Sequence, residues 1–198
     1  NTEWVRNKLV FPSGYEVTSM CLWDEFIVNA CERRSTSATN EFQDGRLFLW
    51  NGTSTTYDRV IPVPEGSPYG LFTHANIVYY FANGKWWAWA GGTPTPVFQM
   101  PLTDFEYTDT NTYMINYPNT MAVRNGILLG AFPSETNSTS IEHAVYSYGK
   151  RTKNQSESFG YSYSMSTGNR TNTGSNNIRI GMIKSFGDKL FISWRDDT

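Results

Sequence analysis

Histidine and cysteine are almost missing from this chain, with two of each among 198 residues. Most metal and nucleophile chemistry goes with them. His74 and His143 have no cysteine or second histidine at zinc-ligand spacing, so no zinc centre is expected and both read as structural or solvent-facing. No Gly-x-Ser-x-Gly elbow marks any of the many serines as a nucleophile. Charge is also scarce, at 17% Asp, Glu, Lys and Arg with a net charge of −2. That balance supplies no field for nucleic acid or an anionic membrane. Lys150, Arg151 and Lys153 form the nearest thing to a basic cluster and read as a solvated turn. No run approaches the ~18 apolar residues of a membrane-spanning helix. Capped helical periodicity is not sustained anywhere; a single helical turn near Leu102–Tyr107 is the most the pattern allows.

The two thiols, Cys21 and Cys31, fall on adjacent apolar runs separated by Asp24-Glu25. A two-residue turn there sets Cys21 opposite Val28 and Cys31 opposite Thr18. Different rungs cannot be bridged, so two buried free thiols are expected. Sequons at Asn51, Asn137, Asn154 and Asn169 are what so Asn-, Ser- and Thr-rich a chain produces by chance.

What is present is aromatic: 16% Phe, Trp and Tyr, set in short apolar runs between Ser, Thr, Asn and Gly. An apolar run, a tight turn and a second apolar run recur at roughly fifty-residue intervals, the mark of a repeat architecture. The pairs are VTSMCLW-DE-FIVNAC, SPYGLFT-HAN-IVYYFA, NTMAV-RNG-ILLGAF and IRIGMIKS-FGD-KLFISW. Two further strands follow in each of the first three, giving blade-like units at about 17–64, 69–101, 118–166 and 178–198. In the first unit the strands are Val17–Trp23, Phe26–Cys31, one within Gly45–Gly52, and Asp58–Val63. In the second they are Tyr69–Thr73, Ile77–Ala82, Lys85–Ala90 and Pro96–Met100, with Asn83-Gly84 as a two-residue hairpin turn. The third has Thr120–Val123, Ile127–Phe132, His143–Tyr148 and Phe159–Met165, and the last Ile178–Ser185 and Lys189–Trp194. Fourth strands carrying Pro62 and Pro64, or Pro94, Pro96 and Pro101, belong on sheet edges, because proline cannot donate to a ladder.

Runs such as LFLW and IVYYF are apolar on both faces, as strands covered on both sides must be. The expected fold is therefore all-β, a β-propeller-like array of four-stranded antiparallel blades with about three and a half present. A sandwich is the alternative. A ring needs about four to eight blades, and the chain starts without Met and stops inside a repeat. It is expected to be part of a longer protein.

Candidates for chemistry are few. Asp24, Glu25, Asp44, Asp58, Asp104, Glu106, Asp109 and Asp188 sit mostly in turns, and the Ser-x-Asp-x-Gly-x-x-Trp box is absent. Propeller glycosidases use carboxylate pairs, but turn chemistry accounts better for these. Asp104, Glu106, Asp109 and Asn111 offer oxygen ligands for calcium without the EF-hand spacing, so no metal or other cofactor is expected. Trp50, Trp86, Trp87, Trp89 and Trp194 read as core. Trp87 and Trp89 share one face of their strand and Trp86 takes the other. Tyr161 and Tyr163, flanked by serines near a polar loop, are the better candidates for exposed contact or sugar-stacking residues.

GRLFLWNG, NGKWWAWAGG and IGMIKSFGDKLFISWRDD resemble the repeated blades of virion structural proteins of tailed bacteriophages, tail and nozzle components among them. The likeness runs from about Val17 to Thr198, and the third unit departs from it by an enlarged insertion. It implies a non-enzymatic subunit of a virion, homo-oligomeric and in contact with other virion proteins. No catalytic residue transfers. Contacts are expected from the loops Glu32–Asp44, Pro133–Glu142 and Gly149–Ser158. The alternative is a carbohydrate-binding or glycoside-hydrolase-like propeller acting on polysaccharide.

Overall fold

The computed structural model describes residues 8–35, 42–99, 121–137, 140–149, 158–164 and 178–196. Beyond residue 120, side chains are described for 121–131, 145–149 and 182–193. Every element among these residues is a strand. The chain divides into two compact units, Asn1–Gln99 and Met100–Thr198.

The first unit holds two sheets. Strands β1 (Tyr15–Trp23), β2 (Phe26–Arg34), β3 (Phe42–Trp50) and β4 (Arg59–Pro62) form an antiparallel meander in the order β1-β2-β3-β4. Strands β5 (Tyr69–His74), β6 (Ile77–Ala82), β7 (Lys85–Trp89) and β8 (Thr95–Gln99) repeat that plan. The two proline-bearing strands of this unit, β4 and β8, lie at sheet edges, where the missing N–H costs no ladder bond. The second unit contains a third meander, β9 (Met121–Arg124), β10 (Ile127–Asn137), β11 (Ser140–Gly149) and β12 (Ser158–Ser164), and the hairpin β13 (Ile178–Phe186) and β14 (Lys189–Asp196).

Two-residue turns set the registers. At Asn83-Gly84 φ is +48° and +71°, and at Asn125-Gly126 it is +51° and +74°. Left-handed backbone at both central positions matches the right-handed twist of the flanking strands, and Asn and Gly accept it at least cost. Ala75-Asn76 adopts the same shape, at +48° and +60°, although alanine does not announce it.

Each sheet is apolar on two faces. The face of the first sheet that looks toward the second, its leading face, carries Val28, Ala30, Leu47 and Leu49, with Cys21, Trp23 and Phe26 at its margin. It packs on the trailing face of the second sheet, formed by Leu71, Val78, Tyr80, Ala82, Trp87 and Trp89. The second unit uses matching positions. Ala122, Ile127, Leu129 and Ala131 of the third sheet occupy the places of Cys21, Phe26, Val28 and Ala30. They pack on Ile183, Leu190 and Ile192 of the hairpin, which occupy the places of Leu71, Val78 and Tyr80.

Several expectations change. A bulge between Val17 and Ser19 moves Cys31 opposite Val17 rather than Thr18, while Cys21 does face Val28. Both thiols are free, and burial pushes Cys21 up to about 11 and Cys31 up to about 12. The segment Pro133–Glu142 is not a loop: β10 and β11 continue through it, pairing Pro133 with His143 and Ser134 with Glu142. Among the described residues β9 pairs with β10 only as far as Gly130, and Pro133 lies beyond that pairing, where a missing N–H is tolerated. Likewise β2 and β3 reach Arg34 and Phe42 and shorten the expected loop between Glu32 and Asp44. Gly149 and Ser158 also belong to strands and pair with each other. The segment Leu102–Tyr117 and its helical turn lie outside the described residues.

Candidate functional site

The polar chemistry of the first unit collects at one end of its sheets, where β2 leaves and β3 enters. The sequence Cys-Glu-Arg-Arg ends β2, and strand alternation sends Glu32 and Arg33 to opposite faces. Glu32 points toward the second sheet and is 6% exposed. Its carboxylate accepts from Arg34 Nε at 2.9 Å, from Tyr69 Oη at 2.8 Å and from the Ser67 hydroxyl. Arg34 also donates to Tyr69 Oη at 3.2 Å. Burial alone would raise the Glu32 carboxyl, but donation from Arg34, Ser67 and Tyr69 outweighs it and holds the group below its ordinary value. Burial pushes the Tyr69 phenol up to about 12, so it stays a donor at neutral pH.

On the opposite face of the first sheet, Asp44 accepts from the Tyr15 hydroxyl and, at 2.8 Å, from Arg46 Nε. The guanidinium carbons of Arg33 and Arg46 lie 5.6 and 5.8 Å from the Tyr15 ring centroid, within the range of cation–π attraction. Burial works against the Asp44 anion, but bonds from Tyr15 and Arg46 prevail and lower it. Burial and the bond to Asp44 raise Tyr15.

Chemically these clusters hold charge still. A glycosidase pair needs one carboxyl raised enough to carry a proton near neutral pH. Glu32 and Asp44 are both shifted the other way, and each is neutralised by an arginine. Among the described residues no group of three or more His, Cys, Asp or Glu is placed to hold a metal ion. The proposed calcium set, Asp104 to Asn111, lies outside them, as do Lys150, Arg151 and Lys153.

Cross-sheet bonds between β1 and β5 make the sequence period physical. Trp23 Nε1 donates to the Asn76 carbonyl at 2.8 Å, the Leu71 amide donates to Ser19 Oγ at 3.0 Å, and the hydroxyls of Thr18 and Thr73 donate to the carbonyls of Pro68 and Leu22. These partners are separated by 50 to 53 residues. The bulge in β1 is what frees Thr18 for this role.

Tyr161 and Tyr163 lie on β12, in register with Tyr146 and Val145 of β11; their side chains are outside the described set, as is that of Trp194. Trp86, Trp87 and Trp89 are buried as expected, whereas Trp50 is half-exposed. His74 closes β5 and is exposed. Asp24 and Asp188 occupy equivalent turns, and Asp58 accepts from the Asn51 amides at 2.8 Å. The Glu32 network went unseen because Ser67 and Tyr69 are 35 and 37 residues away. Its one legible signal is an acidic residue at an inward position of an otherwise apolar strand.

Among the described residues no helix is long and apolar enough to cross a membrane. Comparison with protein families, with curated proteins and with solved structures finds no match for this chain.

Proposed function

We propose that the chain is a β-propeller segment serving as a non-enzymatic structural and interaction component of a tailed-phage-like virion, in a tail or nozzle-type part. On this reading each meander is a blade, the first strands β1, β5, β9 and β13 run nearest the axis, and blade edges and polar ends hold neighbouring virion proteins. One observation carries it: in both units the same positions form the leading and trailing faces. Reuse of the same face positions in both units is what an array of like blades would give.

The non-enzymatic part draws support from the arginine-neutralised carboxylates. The virion assignment rests on the resemblance of GRLFLWNG, NGKWWAWAGG and IGMIKSFGDKLFISWRDD to phage blades. The test is mass spectrometry of density-purified phage particles from the source of this chain. Peptides of the chain at a fixed, repeat-integer ratio to the major tail protein are the expected result. Their absence from particles, or saturable and competed polysaccharide binding lost in Tyr161→Ala/Tyr163→Ala, overturns it in favour of the carbohydrate-active alternative.

A further inference from the structure

The seam between the first two sheets is fastened differently at its two ends. At the end that carries the β1–β2 and β5–β6 turns, the crossing bonds use groups that hold one charge state from acid to neutral pH. Trp23 Nε1 donates to the Asn76 carbonyl, Thr73 to the Leu22 carbonyl and Cys21 Sγ, and Arg59 to the Gly91 carbonyl at 3.4 Å. Among the described residues no carboxylate bonds across the seam there. At the opposite end, residues 64–68 connect β4 to β5, and carboxylates hold them to both sheets. Glu32 of β2 accepts from Ser67 of the connection and from Tyr69 just after it. Glu65 of the connection accepts from Lys85 Nζ at 2.5 Å and from Asn83 Nδ2 at 3.2 Å, at the β6–β7 turn. The fit is close. Gly66, at φ +67°, passes so near Asn83 that a Cβ on it would lie 3.0 Å away.

We infer that residues 64–67 are an acid-release latch: protonating Glu32 and Glu65 frees this stretch from both sheets, while the turn end of the seam stays closed. Release stops at Pro68, whose carbonyl accepts from the Thr18 hydroxyl of β1, a bond indifferent to acid. The inference needs only the stacking of these two sheets and holds whatever assembly the chain belongs to.

The groups around the two carboxyls set the sense of the switch. Arg34 lies beside Glu32 on β2, and Tyr69 reaches it from β5. From β1 the exposed Glu16 stands opposite it, and from β3 only the uncharged Gly45 does. Tyr15, Arg33, Asp44 and Arg46 cluster on the other face of the sheet. The charged partner of Glu65 is Lys85. Burial opposes the Glu32 anion, but donation from Arg34, Ser67 and Tyr69 outweighs it; bonds from Lys85 and Asn83 act the same way on Glu65. Both carboxyls are thereby held below the ordinary Glu value of 4.5. A lowered carboxyl lends its stability above the ordinary value and loses it as pH falls through the folded-state value. The latch is therefore shut at neutral pH and opens in acid. Arg34 and Lys85 are partly exposed, so water hydrates them once the anions are gone. The more exposed Glu65–Lys85 pair contributes little by itself, which leaves Glu32 as the main bolt.

The experiment is hydrogen exchange read by NMR on the full chain, each rate divided by its intrinsic rate at that pH. The Val63 amide, bonded to the Gly45 carbonyl at 3.0 Å, reports the latch end. The Leu71 amide, bonded to Ser19 Oγ, and the Trp23 indole report the rest of the seam. Between about pH 6 and about pH 3.5, Val63 is expected to lose protection about tenfold or more, roughly the factor of one charge-assisted hydrogen bond. Leu71 and Trp23 keep theirs. In Glu32→Gln, Val63 is expected to exchange at about pH 6 nearly as fast as in acidified wild type. With Glu65→Gln added, its protection no longer depends on pH. Equal losses at all three reporters, or none at Val63, overturn the inference, as does pH dependence of wild-type size in the double variant. Titration of the Glu32 carboxyl carbon in wild type keeps the test decisive should a variant fail to fold. A midpoint shared with the loss of Val63 protection supports the latch, and two separate midpoints overturn it.

Discussion

Glu32 carries the clearest energetic consequence of any single residue here. Replacing it with Gln keeps the shape but removes the anion that faces Arg34, Ser67 and Tyr69. Hydrogen bonds to a charged group contribute about 1.5–3 kcal/mol, so Glu32→Gln is expected to lower stability at pH 7 by about that amount in urea titration. The pH dependence follows from the lowered carboxyl. Its contribution is fully present above the ordinary Glu value of 4.5 and is lost as pH falls through the folded-state value. The variant should therefore lose less stability than wild type between about pH 5 and about pH 3. A full-sized acid limb in Glu32→Gln would show that the network is not its source. Tyr80→Phe is the contrasting case: among the described residues the buried Tyr80 hydroxyl has no hydrogen-bond partner, and its removal should leave stability unchanged or raised. At this scale the sequence was legible for residues whose role is local. Asp24, Asn83 and Gly84 announce turns because their backbone needs are met within a few residues. Ser67 and Tyr69 announce nothing, because the carboxylate they serve is brought to them by tertiary packing.

Among elements, strand and turn positions followed from apolar alternation and from Asn-Gly chemistry, and prolines correctly marked β4 and β8 as edges. The long arms of β10 and β11 did not follow. Their residues from Pro133 to Glu142 are polar and carry a proline, yet pairing with each other satisfies their backbone. The seam between the first two sheets offers a sharp test. A Cβ at Gly45 would come within 2.5 Å of the Gly66 carbonyl oxygen and 3.0 Å of Pro68 Cδ. At Gly52, with φ of +83°, nothing lies within 4 Å. Gly45→Ala is expected to cost at least the 1–3 kcal/mol or so typical of overpacking. Gly52→Ala should cost only the ~1 kcal/mol of a left-handed backbone. Thermal melting of both variants checks the order. Equal losses would mean that the sheets separate at Gly45 without penalty.

For the molecule as a whole, each of the two units carries a core cluster of its own. Leu129 sits in the core of the second unit with Ala122, Ala131, Val145 and Ile183. Leu129→Ala should cost about 2–5 kcal/mol. Hydrogen exchange read by mass spectrometry should then show faster exchange in β9–β11 and β13–β14, and unchanged protection across β1–β8. Uniform acceleration along the chain would mean that the units open together. The sequence by itself determined the all-β class, the roughly fifty-residue repeat, the turns and the proline edges, because each depends on side-chain period or on backbone preferences a few residues long. Only the tertiary structure decided which face of each sheet meets a neighbour, that the repeat is realised as hydrogen bonds between β1 and β5, and that Glu32 and Asp44 stand ionised against arginines. Those outcomes depend on which sheets are stacked, and strand alternation is the same whichever face is covered.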